Sequence, residues 1–213
     1  MDKKEIDQKI SRISAESEKI MKKSKKAAHD FEHVKRVLRL GFEIGKVEGA
    51  NMTILKPAIL MHDLGRTNED GKIHHSKFSV TLARKLLKKV DYPKEFWKPI
   101  LYAIEKHSWK NSADTLEAKV LQDADKLDAI GAIGLARGFA FGALNNWPEY
   151  NPKDPFFKKK RQMEDYTIDH IYWKILRLNQ MIHTKKGKEI AKERDLFVRE
   201  FLKRMEREVN GEL

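Results

Sequence analysis

The 213-residue chain contains no cysteine. Disulfides, thiolate zinc sites and thiol nucleophiles are thereby excluded together, and any metal or catalytic centre must be built from His, Asp, Glu, Lys, Arg or Ser. Strand-like alternation of apolar and polar residues is absent over any useful length, so the fold reads as all-α. Also missing are an apolar leader ahead of a small-residue cleavage site and an uninterrupted apolar run of about 18 to 20 residues. The opening "MDKKEIDQKISRISAESEKIMKKSKK" is charged throughout, and the most apolar stretch, "GAIGLARGFAFGAL", is interrupted by Arg137. These absences predict a cytoplasmic protein with no membrane association. No internal repeat, low-complexity linker, helix-turn-helix signature or aromatic RNA-binding motif is visible.

What is present is helical periodicity, in a chain that is 40% apolar and 36% charged. Its length suits one globular domain over residues 1–213, of about eight to nine helices. Amphipathic patterns place helices at about 4–24, 29–48, 52–64, 77–89 and from "DYPKEF" to His107. A sixth begins near Asp114, where "DTLE" resembles a capping box closed by Glu117, and continues through "AKVLQDADKLDAIGAIG". There Gly134, Gly138 and Gly142 recur every four residues, a row of small residues that lets another helix approach closely. Residues 145–160 hold three prolines and read as a loop, and C-terminal helices fill 161–213, at about 163–182 and 187–209. The formal net charge of +12 draws anions, but it is spread over several helix surfaces, which argues for a solvated face and against a nucleic-acid footprint.

Against that background "MHDLGR", residues 61–66, places His62 and Asp63 at the end of an apolar helix, with Gly65 available to break it. Alone the pair reads equally as a helix cap and a solvent-facing charge. Other helices supply partners. "AHDFEHVKRV" sets His29, His33 and Arg36 on one stripe at i, i+4, i+7, and "LQDADKLD" sets Asp125 four residues after Leu121 on an inward face. Buried imidazoles and carboxylates are costly unless paired or bound to metal, so His33, His62, Asp63 and Asp125 form a candidate two-histidine, two-aspartate site. That donor set suits one divalent transition ion, Mn, Fe, Ni, Co or Zn, and fits Mg less well. Asp128, one turn after Asp125, is a candidate to hydrogen-bond a ligand histidine, or it caps or faces water. His29 is either such a supporting group or a helix cap.

The ordered set of an early helical histidine, an adjacent "HD" and a later aspartate in "DADKLD" resembles the HD-domain superfamily of metal-dependent phosphohydrolases, over about residues 27–140. "AHDFEHVKRV", "MHDLGR" and "LQDADKLDAIGAIGLAR" are similar to those of small single-domain bacterial members that hydrolyse nucleotides. The resemblance implies an all-helical HD-domain fold with metal held by His33, His62, Asp63 and Asp125. It further implies Arg66 as a contact to phosphate or to water, and His75 and His107 as phosphate contacts or general acids. Lys126 matches a phosphate-contacting lysine in triphosphate-cleaving relatives, with a snorkelling surface lysine as the alternative; Arg36 and Arg137 join phosphate or pair with carboxylates. The pattern departs from two-metal relatives, lacking their paired histidine and the glycine-rich signature that follows it.

The expected activity is metal-dependent hydrolysis of a small phosphorylated substrate, a nucleotide, most simply a (d)NTP to (d)NMP and pyrophosphate, with Asp63 or Asp125 orienting the water or accepting its proton. A nucleoside monophosphate phosphatase or phosphodiesterase of the same fold is the alternative, and a non-catalytic nucleotide or nucleic-acid binding module the outsider. Phe139, Phe141, Trp147 and Tyr150 flank the Pro-rich loop, either stacking a base or packing a core. The terminal helices lie outside the matching segment and leave a homodimer open.

Overall fold

The computed structural model describes residues 2–22, 31–67, 74–108, 111–159 and 165–213, and among these it is helical with no strand. The chain divides into two compact units, Met1–Asp125 and Lys126–Leu213. No single helix among the described residues is long and apolar enough to cross a membrane.

The first unit holds α1 (Lys3–Met21), α2 (Phe31–Glu48), α3 (Met52–Met61), α4 (His75–Lys89), α5 (Trp97–Lys106) and nearly all of α6 (Leu116–Leu127). Helix α3 is its axis, packed against α1, α2, α4 and α5. Its sequence explains the position: Leu55, Ala58, Ile59, Leu60 and Met61 are all buried, and a helix that is apolar all round must be enclosed. Pro57 lies inside α3 and has no N–H to offer the carbonyl of Thr53. The hydroxyl of Tyr92, buried on the chain ahead of α5, donates to that carbonyl at 2.7 Å. Burial pushes the Tyr92 phenol up, so it stays protonated and remains a donor.

The capping box expected at "DTLE" takes another form. Thr115 Oγ1 accepts from the N–H of Ala118, whereas the Glu117 carboxylate accepts from the N–H of Asn51, at the start of α3. Glu117 therefore fastens α6 to the axial helix.

The second unit contains α7 (Ala132–Leu144), a broken helical run from Thr167 to Met181, and α10 (Lys185–Val209). The run comprises α8 (Thr167–His170), a π turn (Ile171–Ile175), α9 (Leu176–Leu178) and a 3-10 turn (Asn179–Met181). Sequence periodicity reads α6 and α7 as one continuous segment, but the chain breaks at 128–131. Gly131 adopts φ +85, a left-handed conformation that a side chain resists. The α6 end carbonyls freed there are taken by guanidinium groups, Leu127 O by Arg194 Nη1 at 2.6 Å and Asp128 O by Arg137 Nη1 at 3.1 Å. Residues 145–159 carry no helix, in keeping with their prolines.

Candidate metal centre

His33 lies in the first turn of α2, and His62 is the C-terminal cap of α3. Asp63 follows in the tight turn, and Asp125 comes from the last turn of α6. His33, His62 and Asp63 are all at most 2% exposed, and Asp125 keeps 30% of its side chain accessible. His33 Nε2 stands 3.3 Å from Asp125 Oδ1 and 3.8 Å from Asp63 Oδ2. His62 Nε2 stands 3.8 Å from Asp63 Oδ2 and 3.9 Å from Asp125 Oδ1.

Donors about 2.0 to 2.1 Å from a divalent ion lie about 3.0 to 3.4 Å apart, so contraction by a few tenths of an ångström converts this cluster into a coordination shell. The His62 ring is already oriented for it. Its Nδ1 lies 2.7 Å from Ile59 O, which places the proton on Nδ1 and leaves Nε2 as a bare lone pair directed at the cluster. His62 Nε2 is buried and has no hydrogen-bond partner among the described residues. Burial, opposed by Asp63, lowers the His62 pKa to about 4, so the ring is neutral near pH 7. For Asp125 burial acts upward, but the hydrogen bond and charge of His33 and the charge of His62 outweigh it and hold the carboxylate below its usual range. Neutral imidazoles and ionised carboxylates are the forms a cation requires.

A second triad shares Asp63. His107 Nε2 lies 3.5 Å from Asp63 Oδ1, and Asp63, His75 and His107 form a further group with metal-binding spacing. His107 caps α5 as His62 caps α3: its Nδ1 lies 2.6 Å from Ile104 O. Burial depresses the basicity of His107, but Asp63 and then Asp125 more than restore it, so its net shift is upward. His75 differs. Burial first, then the Arg66 guanidinium and His107, lower its pKa to about 3. Arg66 Nε sits 3.0 Å from each oxygen of Asp63, and its side chain is 31% exposed.

Gly65 is what brings α4 this close. A Cβ on it would collide with the carbonyl of His75 and with Ser79 N, and its N–H donates to Ser79 Oγ at 2.8 Å. It therefore serves as a close-contact residue, not the helix breaker that "MHDLGR" suggests, since α3 has already ended at Met61 and Gly65 has no positive φ.

Other candidates are engaged elsewhere. Lys126 is buried, and its ammonium donates to Met181 O at 2.7 Å. The Asp128 carboxylate receives Arg137 Nη1 at 2.6 Å. Phe141 packs against Trp147 and stacks on His170, and Phe139 meets Phe201 edge-on. His29 lies outside the described residues. Sequence reasoning missed Gln122, one turn before Asp125, whose buried amide reaches main-chain carbonyls on both sides of His107, those of Lys106 and Asn111; its place inside "LQDADKLD" was the available signal.

The described cluster fits a divalent metal, and the comparisons agree. The HD domain family model matches residues 30–130, and YpgQ of Bacillus subtilis (strain 168) is 31% identical over 192 residues, 87% of this chain and 86% of that protein. The chain belongs to the HD domain family. An HD-superfamily hydrolase from Bacillus thuringiensis superposes with a TM-score of 0.78 at 28% identity, covering 96% of this chain and 98% of its own. The structure of YpgQ in complex with ADP gives 0.77 at 29%, covering 96% of both chains. A predicted HD-superfamily hydrolase from an uncultured Thermotogales bacterium gives 0.64 at 26%, covering 94% of this chain and 91% of its own. This HD-domain chain is accordingly an enzyme, a metal-dependent phosphohydrolase in general terms, built like the small bacterial members of the superfamily.

Proposed function

We propose that this HD-domain enzyme hydrolyses a nucleoside or deoxynucleoside triphosphate to the monophosphate and pyrophosphate, using one divalent transition ion held by His33, His62, Asp63 and Asp125. The observation that carries the metal reading is the convergence of these four donors, with all four paired distances above between 3.3 and 3.9 Å. The nucleotide reading draws its support from the ADP bound by YpgQ. A cation in this position supplies a Lewis acid and lowers the pKa of coordinated water toward neutrality.

The protein residues divide the remaining work. Asp63 turns Oδ2 toward His33 and His62 and Oδ1 toward His107, so it can ligate through one oxygen and orient or deprotonate the attacking water through the other. Arg66, partly exposed beside Asp63, offers its remaining N–H groups to phosphate oxygens, where developing negative charge is stabilised. His107 and His75 present Nε2 atoms with no hydrogen-bond partner among the described residues; His107, with its raised proton affinity, delivers a proton to the leaving oxygen or contacts phosphate, whereas His75, lowered to about 3, is neutral and is confined to substrate contact. The exposed edge of Asp125 marks the side open to substrate. The reaction is placed in the cytoplasm.

The test is a two-arm assay. Wild type and Asp63→Ala are incubated with Mn, Ni, Co or Mg and a panel of NTPs, dNTPs, nucleoside monophosphates and a generic phosphodiester, with products separated by chromatography. The expected result is metal-dependent release of pyrophosphate and (d)NMP, reduced at least about 1000-fold in Asp63→Ala. Inorganic phosphate released from monophosphates, with triphosphates untouched, would replace this reading with a phosphatase.

A further inference from the structure

Helix α5 ends with its carbonyls capped one after another by side chains. Ile104 O receives His107 Nδ1 at 2.6 Å, Glu105 O receives Asn111 Nδ2 at 3.2 Å, and Lys106 O receives Gln122 Nε2 at 2.6 Å. Gln122 does more than close the helix. The same nitrogen reaches Asn111 O at 2.9 Å and Ser108 O at 3.3 Å. An amide nitrogen carries two protons, so two of these contacts are full hydrogen bonds and the longest is shared. Three surrounding carbonyls also require that the NH2 end, not the oxygen, point into the turn.

Gln122 is 1% exposed and stands three residues before Asp125 on the same helix, one helical turn away. One side chain thus joins the helix that carries Asp125 to the turn that carries His107. The His62 ring at the end of α3 is fixed in the same way, its Nδ1 against Ile59 O at 2.7 Å.

We infer that Gln122 is a positioning residue: by gripping the backbone on both sides of His107 it holds that imidazole in register with Asp63 and Asp125. The inference rests on the proposed role of His107 only for its effect on turnover; the structural effect stands by itself. Substituting an apolar side chain of similar length leaves the helix-end carbonyls without their donor. A carboxylate of the same shape turns oxygen toward oxygen.

The experiment compares wild type, Gln122→Met and Gln122→Glu as full-length chains saturated with the diamagnetic ion Zn2+ and labelled with 15N-histidine. Hydrogen exchange of the His107 Nδ1–H is expected to accelerate at least tenfold in both variants, with the His62 Nδ1–H unchanged as the internal control. Unchanged exchange at His107, or equal acceleration at both rings, overturns the proposal. If Gln122→Glu does not fold, Gln122→Met decides. In a second arm, Gln122→Met is expected to lower kcat about tenfold with little change in KM, and to cost nothing further in a His107→Gln background. An equal loss in both backgrounds would show that Gln122 acts by another route. Should no substrate turn over, the proposed function fails while the exchange measurement still decides the role of Gln122.

Discussion

The ends of α3 and α5 repeat one device with different supports. Each helix carries in its last turn an isoleucine whose carbonyl receives Nδ1 of a histidine three residues later, Ile59 O from His62 and Ile104 O from His107. Each ring therefore aims Nε2 at Asp63. At α3, support comes from the axial position of the helix, from Asp63 next in sequence and from α4 pressed against Gly65. At α5, it comes from side-chain amides, Asn111 on Glu105 O and, from another helix, Gln122 on Lys106 O. Fixing the protonated nitrogen against a main-chain carbonyl is a general way to select a tautomer, and it leaves the environment to decide whether the other nitrogen meets a cation or a substrate.

The comparison breaks most sharply in metal affinity. His62→Gln should weaken Mn2+ or Co2+ binding by about 100-fold, whereas His107→Gln should change it by less than about threefold and act on kcat instead. Isothermal titration on the two variants measures the first quantity; similar losses in both would place His107 among the ligands. Gly65→Ala comes next. The added methyl forces α4 away from the α3 turn, costing about 2 kcal/mol of stability by overpacking, measurable as a lower denaturant midpoint with an unchanged slope.

The two rings also differ in proton affinity, with opposite sign. His62 has a folded pKa depressed to about 4, chiefly by burial. It opposes folding as pH falls from about 6.5, where the unfolded ring takes a proton, to about 4. His107 lies above its ordinary value, because Asp63 and Asp125 outweigh its burial. Its contribution is complete below about pH 6.5 and is lost as pH rises through the folded pKa. In the metal-free chain His62→Gln should therefore gain stability relative to wild type by about 2 kcal/mol between pH 7.5 and pH 4.5, while His107→Gln should lose it. Denaturant titrations at the two pH values check the signs, and a shared sign would dissolve the distinction.

Much of this arrangement could be read in advance. The all-helical fold follows from periodicity, and the convergence of His33, His62, Asp63 and Asp125 follows from the cost of carrying imidazole and carboxylate on apolar helix margins. What escaped has a common origin. Gln122 gripping the carbonyls of Lys106, Ser108 and Asn111, Glu117 capping Asn51 and Gly65 admitting α4 are contacts between separate segments of the chain, and helical periodicity carries no record of them. The break between α6 and α7 was hidden by a run of apolar residues that suits a continuous helix. It is set by the left-handed Gly131 and by guanidinium groups supplied from further along the chain. The π turn within the run from Thr167 to Met181 likewise has no periodic signature of its own.

Pro57 and Tyr92 bind the history of this protein as well as its helix. While proline stands at 57, the Thr53 carbonyl depends on a donor from outside the helix, and the Tyr92 hydroxyl provides one. Losing that hydroxyl first leaves the carbonyl of the half-buried Thr53 without that donor. Replacing the proline first restores a main-chain donor and makes the hydroxyl dispensable. The order in which these two positions can change is thus constrained, and a lineage that exchanges tyrosine for phenylalanine at 92 should already have abandoned proline at 57.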